Sequence, residues 1–396
     1  MPTHYDIIIV GGGMVGSALA CALGDTPWRL ALIEGRVPDN EWPADSFDLR
    51  VSAISRASQQ LFEQLQVWSA MQAERVSPYQ EMHVWDAGGN GSIHFDSADI
   101  GEPNLGHIIE NRVITRALVQ RAAQFDNIDI HCPAKPQHLD LQHGGGQLEL
   151  DSGAILQAEL IVGADGGQSW VRQQADISVS TQDYQQSAVV ANVRTEQPHR
   201  HTAWQRFLPT GPLAFLPLTD NVSSIVWSTT PQEAERLCAL DSKAFRQELE
   251  TAYASRLGRI VETGPRAHFP LRGQHASHYV KPHLALIGDA AHTIHPLGGQ
   301  GVNLGFADVR ALRQTLDAAR QKGQAIGSLK TLRRYERSRR GDNLLMLEAM
   351  GVFKRLFSNT TPGLRQLRNL GLNLSDRANP LKHFFMSQAM GLGLDK

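Results

Sequence analysis

Tyr5-Asp-Ile-Ile-Ile-Val10-Gly11-Gly-Gly-Met-Val-Gly16 is the stretch that decides the fold. Its first half is an unbroken apolar run ending at Val10, the pattern of a strand buried on both faces of a parallel sheet. Three glycines follow at once, and a helical pattern then continues through Ala18, Leu19, Ala22 and Leu23. A second apolar run, Leu30-Ala-Leu-Ile33, closes a strand–helix–strand unit of about thirty residues. Gly11, Gly13 and Gly16 then stand at G-x-G-x-x-G spacing between a strand and a helix. Gly11 permits the tight turn, Gly13 lets backbone amides approach a pyrophosphate, and Gly16 lets helix and strand pack closely. The helix start adds a partial positive charge for the phosphates. Glu34 ends the second strand, where a carboxylate receives the adenosine ribose hydroxyls. The unit reads as a dinucleotide site and leaves open which dinucleotide it holds.

Outward from this unit, residues 56–67 and 111–125 carry helical periodicity, and strands are expected near 128–132, 147–150 and 156–162. The turn sequence Ala87-Gly-Gly-Asn-Gly91 sits inside a hairpin between Met82 and Phe95. From about 184 to 270 the period is mostly two, with a helical insertion over roughly 231–254, so a mainly antiparallel second sheet is expected. A buried strand at 283–287 and a helical end from about Asn303 complete the chain. The order α/β, β-rich, α/β implies a discontinuous nucleotide-binding domain of residues 1–80, 100–180 and 271–340. A β domain of 81–99 and 181–270 would face it across a cleft, with a helical tail over 341–396.

Composition narrows the class. At 396 residues the chain exceeds one ordinary core, and 41% apolar with 20% charged residues is a globular balance. The net charge of −2 gives no reason to expect nucleic acid. Charge is uneven, however: residues 330–396 hold 13 Lys and Arg against 5 Asp and Glu. That basic, partly apolar end reads either as a face for a membrane or an acidic partner, or as ordinary packing against the body. The three cysteines, Cys21, Cys132 and Cys238, form no disulfide or zinc spacing and fit a reducing cytoplasm. No leader or membrane span is expected, so the chain reads as cytoplasmic, at most peripheral to a membrane.

Two further constellations carry chemistry. Gly163-Ala-Asp-Gly166, with Ser169 and Arg172, puts Asp165 on a glycine-rich turn after a strand. Gly288-Asp289-Ala-Ala-His-Thr-Ile-His-Pro296-Leu-Gly-Gly-Gln-Gly301-Val-Asn303 puts Asp289 at a strand end and bares the backbone just before a helix. A flat ring would fit there against a positive helix end. His292 and His295 have an i, i+3 spacing, yet no third ligand accompanies them, and no metal is expected.

These three places together resemble the fingerprints of the class A flavoprotein hydroxylases, the para-hydroxybenzoate hydroxylase type. Leu49-Arg-Val-Ser-Ala-Ile54, Gly106-His-Ile-Ile-Glu-Asn111 and Ala214-Phe-Leu-Pro-Leu218 are similar to the ubiquinone-biosynthesis members. Val193–Pro198, Ser224–Ser228 and Arg333–Ser338 look most like the branch acting on 2-polyprenylphenols at ring position C5. The resemblance implies FAD as cofactor, NAD(P)H and O2 as co-substrates, a polyprenylphenol substrate, and oxygen transfer through a flavin C4a-hydroperoxide. It implies that Gly11, Gly13, Gly16 and Glu34 hold the ADP half of FAD, Arg50 the pyrophosphate, and Asn111 the adenosine side. Asp165 would support the phosphates and Asp289 the ribitol, while Pro296, Gly301, Val302 and Asn303 would border the isoalloxazine. Gly298 stands where that family commonly has Ala. For a polyprenyl substrate, other ubiquinone-biosynthesis proteins or the membrane surface become the expected contacts of the tail.

No catalytic base is assigned; His107, Tyr184 and His295 are the candidates. Rival readings are a flavin reductase or halogenase of the same fold, a non-catalytic flavin-bound scaffold, and an NAD-dependent dehydrogenase. The Trp-x-Trp-x-Ile-Pro segment of halogenases is absent.

Overall fold

The computed structural model describes residues 2–39, 41–141, 144–293, 301–357 and 390. The opening strand, Thr3–Val10, lies at the heart of the first sheet, parallel to Leu30–Ile33 on one side and Ile155–Gly163 on the other. Its order runs 280–281, 284–286, 155–163, 3–10, 30–33, 128–131, with 146–150 and 136–140 continuing antiparallel from 155–163. Ile7, Ile8 and Ile9 are all fully buried, each contributing about 1.5–3 kcal/mol of transfer free energy. They are apolar on both sides because helices cover both faces of the sheet, which is why this strand shows no alternation. The expected strands at 128–132, 147–150, 156–162 and 283–287 appear at 128–131, 146–150, 155–163 and 284–286.

The second sheet runs 292–293, 260–276, 179–195, 222–229, 211–217, 202–208, 81–86, 92–96. Its ladders are antiparallel except Thr202–Leu208 against Glu81–Asp86, which is parallel because the early hairpin joins an edge laid down much later in sequence. One face, with Val189, Phe215, Ile225 and Trp227, packs on the helices Pro231–Ala239 and Ser242–Tyr253. Those are two helices rather than one insertion: Asp241 caps the second by accepting from Ala244 N at 2.8 Å. The other face, with Val190, Val226, Ala214 and Leu216, turns toward the first sheet. A three-stranded sheet of 51–54, 106–110 and 77–79, absent from the sequence expectation, fills the space between.

The helices Gly301–Gln321 and Leu329–Phe357 end the described chain apart from Met390. Of the tail expected over 341–396, the stretch beyond Phe357 otherwise lies outside the described residues. No described helix is long and apolar enough to cross a membrane.

Candidate active site

The tight turn after Val10 is possible because Gly11 adopts φ +107°, a conformation closed to most side chains. Gly16 supports the turn from within the Met14–Leu23 helix: a Cβ there would meet Gly11 O at 1.9 Å. Gly13 differs, since a Cβ would meet nothing within 4 Å. Its bareness faces open space, as a surface reserved for a ligand requires. Glu34 is aimed by two amides, accepting from Gly12 N at 2.7 Å and Arg36 N at 2.9 Å.

The three constellations converge on one cavity of about 870 Å³, within the range of small-molecule sites. Its lining includes Gly11, Gly13, Glu34, Arg50, Asn111, Asp165, Asp289, Gly301 and Val302. Arg172 braces two of the turns, donating to Gly167 O and to Ala290 O, each at 2.9 Å. Asp165 accepts from Val171 N at 3.0 Å through Oδ2, while its Oδ1 is buried without a partner. Thr293 Oγ1, on the same wall, is buried and unpartnered as well. Arg50 has no carboxylate within ion-pair reach among the described residues. An orphaned carboxylate oxygen, a free guanidinium and a bare glycine turn together fit a long polar ligand with phosphates, such as FAD.

Asn111 is held at the start of the Asn111–Ala122 helix, where its Oδ1 accepts from Ser52 Oγ at 2.7 Å. Asn303, in the first turn of the Gly301–Gln321 helix, turns its side chain toward the small sheet. Its Oδ1 accepts from Ser55 N at 3.0 Å and Ser58 Oγ at 2.8 Å, and its Nδ2 donates to Ala53 O at 2.8 Å. That side chain clamps the small sheet, leaving the backbone of the helix's first turn to face the cavity. Pro296, Gly298 and His295 lie outside the described residues.

Asp289 is exposed to the open cavity, with protein packed densely around it. That crowding pushes its pKa above the ordinary carboxylate value, against the pull of His292 and Arg50, with Asp308 adding to the rise. Behind it sits a group the sequence reading missed. Asp308 is fully buried and accepts from Gly288 N at 3.0 Å, His292 Nε2 at 2.6 Å and Arg339 Nε at 2.8 Å. Although burial opposes it, His292 and Arg339 and their hydrogen bonds hold its pKa below the usual value. His292 is thereby committed to a carboxylate rather than a metal. A lone acid on the buried face of a helix, beside Gly305, Val309 and Leu312, was the available signal.

Two of the candidate bases lie off the cavity. His107 is packed edge-on against Trp68, and burial, aided by Arg56, drops its pKa to about 4. Tyr184 is buried beside Ala188 and Leu271, one layer behind the cavity wall. A separate cavity of about 940 Å³ flanks Gly301–Gln321, but none of the glycine turns reaches it and its Arg313 is already paired with Asp317 and Asp25.

The polar trough meets an apolar wall. Ala188, Val190, Val226, Phe269 and Leu271 of the second sheet close the same cavity opposite the glycine turns.

Residues 4–347 match the family model described as FAD binding domain. The chain is 43% identical to 3-demethoxyubiquinol 3-hydroxylase of Escherichia coli, over 98% of each chain. It is 39% identical to the ubiquinone hydroxylase UbiL of Rhodospirillum rubrum, covering 98% of this chain and 89% of that one. Its fold superposes on p-nitrophenol 4-monooxygenase PnpA of Pseudomonas putida with a TM-score of 0.80, covering 98% and 99% of the two chains at 17% identity.

Proposed function

This chain belongs to the FAD-binding-domain family of class A flavin hydroxylases, among those of ubiquinone biosynthesis, and from that premise we propose that it hydroxylates the aromatic ring of a polyprenylphenol intermediate. It is an FAD-dependent monooxygenase, and NAD(P)H is the usual reductant of such enzymes. The observation that carries the substrate reading is the cavity itself: a phosphate-ready trough ends against a wall of Ala188, Val190, Val226 and Phe269. A greasy ring bearing an isoprenoid chain suits that wall.

Bound FAD supplies the oxygen activation that side chains lack. The residues do the rest. Gly11 and Gly13 would admit the diphosphate to backbone amides with Gly16 packing the helix close behind them, Arg50 would pair with it, and Glu34 would receive the ribose hydroxyls. Asn111 would face the adenosine side, Asp165 would support the phosphate region through its turn, and Asp289 would accept from the ribitol hydroxyls. The amides at Gly301, Val302 and Asn303, with the positive end of their helix, favour negative charge on the reduced ring. The second sheet excludes water. In this arrangement residues 1–80, 100–180 and 271–340 serve the cofactor, and 81–99 with 181–270 serve the substrate.

The segments at 193–198, 224–228 and 333–338 support action at ring position C5. The name of the Escherichia coli relative favours a second reading, with 3-demethoxyubiquinol as substrate. Expression in cells lacking each quinone-pathway hydroxylase separates them by which accumulating intermediate disappears. If none disappears, and purified protein with prenylphenol consumes NAD(P)H without oxygen, the hydroxylase reading fails. The basic end of the chain supports a further contact, with pathway proteins or an anionic membrane surface. Deleting residues after 358 should then abolish co-sedimentation with one of them; unchanged binding excludes that role.

A further inference from the structure

Arg50 has a diphosphate to meet, yet it stands on no regular element. It is an exposed residue at the end of an irregular loop, Ser46-Phe-Asp-Leu-Arg50, that runs into the cavity wall. A guanidinium on a loop free to move loses part of its attraction to the cost of being ordered. This loop is gripped from two sides.

The first grip is Glu110, the last residue of the strand Gly106–Glu110 and only 2% exposed. Its carboxylate accepts from Asp48 N at 2.6 Å. It also pairs with Arg75 at 2.8 Å and Arg112 at 2.7 Å, which aims both guanidiniums back at the loop. Arg75 donates to Ser46 O at 2.7 Å and lies over the Phe47 ring at 4.2 Å, and Arg112 donates to Ser46 O as well. The second grip comes from the other sheet. Asn192, on the strand Val179–Thr195, donates through Nδ2 to Phe47 O at 3.1 Å and Asp48 O at 3.2 Å. Asp48 is thus fixed at both its amide and its carbonyl, and it passes the constraint on. Its Oδ1 accepts from Arg50 N at 3.2 Å, while Arg50 O accepts from Asn111 N at 2.9 Å. Neither Glu110 nor Asn192 lines the cavity. Taking a carboxylate and two guanidiniums out of water carries a penalty that a surface loop does not by itself require.

We propose that Glu110 and Asn192 are positioning residues for the cofactor. Between them they hold residues 46–50 in one conformation, so that the Arg50 guanidinium already stands where the pyrophosphate of FAD arrives. Glu110 acts from the small sheet and Asn192 from the second sheet. The phosphate contact is therefore set by how those two sheets pack across the loop. This role rests on the reading of Arg50 as the partner of the pyrophosphate.

The test is a mutant cycle read as the FAD dissociation constant of stripped protein, followed by quenching of flavin fluorescence. Arg50→Ala should weaken FAD by about tenfold or more. Glu110→Gln and Asn192→Ala, each with Arg50 intact, should weaken it by about five- to tenfold, because Arg50 must then be ordered on binding. With Arg50→Ala already present, either change should add less than about twofold. A merely structural role gives the same loss in both backgrounds. That result, or no loss in either, overturns the positioning role alone. Asn192→Ala removes a neutral side chain, so it decides the matter if Glu110→Gln, which leaves two guanidiniums uncompensated, does not fold. Arg50→Ala that binds FAD as tightly as wild type overturns the reading of Arg50, and the role of its two supports with it.

Discussion

Asp308 and Arg339 meet at 2.8 Å in the interior, joining the helix that faces the cavity to the one that follows it. The same carboxylate holds Gly288 N and His292, so the turn bearing Asp289 is positioned from behind by a buried ion pair.

Removing one partner of such a pair leaves a buried charge uncompensated. Arg339→Met should therefore cost on the order of 3–5 kcal/mol in denaturant unfolding, and Asp308→Asn a comparable amount. Because the folded pKa of Asp308 is depressed, its contribution is complete above the ordinary carboxylate value and is lost as pH falls below it. A variant unfolding at the wild-type denaturant midpoint would show the pair to be dispensable.

Asp289 presents the opposite case. Its raised pKa means that the folded state disfavours its charge, so the apoprotein loses stability as pH rises above the ordinary carboxylate value. Asp289→Asn should make the apoprotein slightly more resistant to heat at neutral pH, yet bind FAD more weakly and lose hydroxylation. Melting curves of stripped protein, set beside flavin retention on gel filtration, check both halves. Tight FAD binding by the variant would contradict the role given to the carboxylate.

The glycines of the first turn separate cofactor from fold. Gly16→Ala must collide with Gly11 O and should yield little folded protein. Gly13→Ala meets no protein atom, so it should fold with wild-type stability while retaining FAD at least about tenfold less tightly, because only a ligand approaches there. Equal FAD affinity in Gly13→Ala would remove the phosphate from that surface.

His107 should make stability sensitive to mild acid. With a folded pKa of about 4 against an ordinary value of 6.5, it is neutral in the native state and takes a proton on unfolding. Its contribution is complete above pH 6.5 and fades as pH falls toward 4, by roughly 3 kcal/mol in all. His107→Phe keeps an aromatic ring against Trp68 and should flatten the stability profile across that window.

The sequence disclosed those parts of the site whose chemistry demands unusual residues. Glycines at Gly11, Gly13 and Gly16, an acid at the end of a strand as with Glu34, and Asp289 beside a bare loop are legible because ordinary packing rarely asks for them. Asp308 and Arg339 are ordinary residues within ordinary elements. Their meaning arises only when strands and helices more than thirty residues apart in sequence are brought together. The second sheet was legible as a period of two, whereas the parallel edge at Thr202–Leu208 was not, since pairing direction leaves no mark in a single strand. Asn303 was correctly placed at the start of a helix, yet the use of its side chain depended on Ser55 and Ser58, nearly 250 positions earlier.

The strand Leu284–Leu286 lies against Ile161–Gly163 in the sheet that begins at Thr3, and it carries Asp289 at its end. While the polypeptide emerges from the ribosome, the first half of that sheet must wait for more than a hundred further residues before its last parallel neighbour arrives. Loading with flavin is thus a late event in the life of the molecule, and the cellular supply of cofactor acts on nearly finished chains. A prematurely terminated product would expose the unpaired edge at Ile161–Gly163 and should be cleared by proteases.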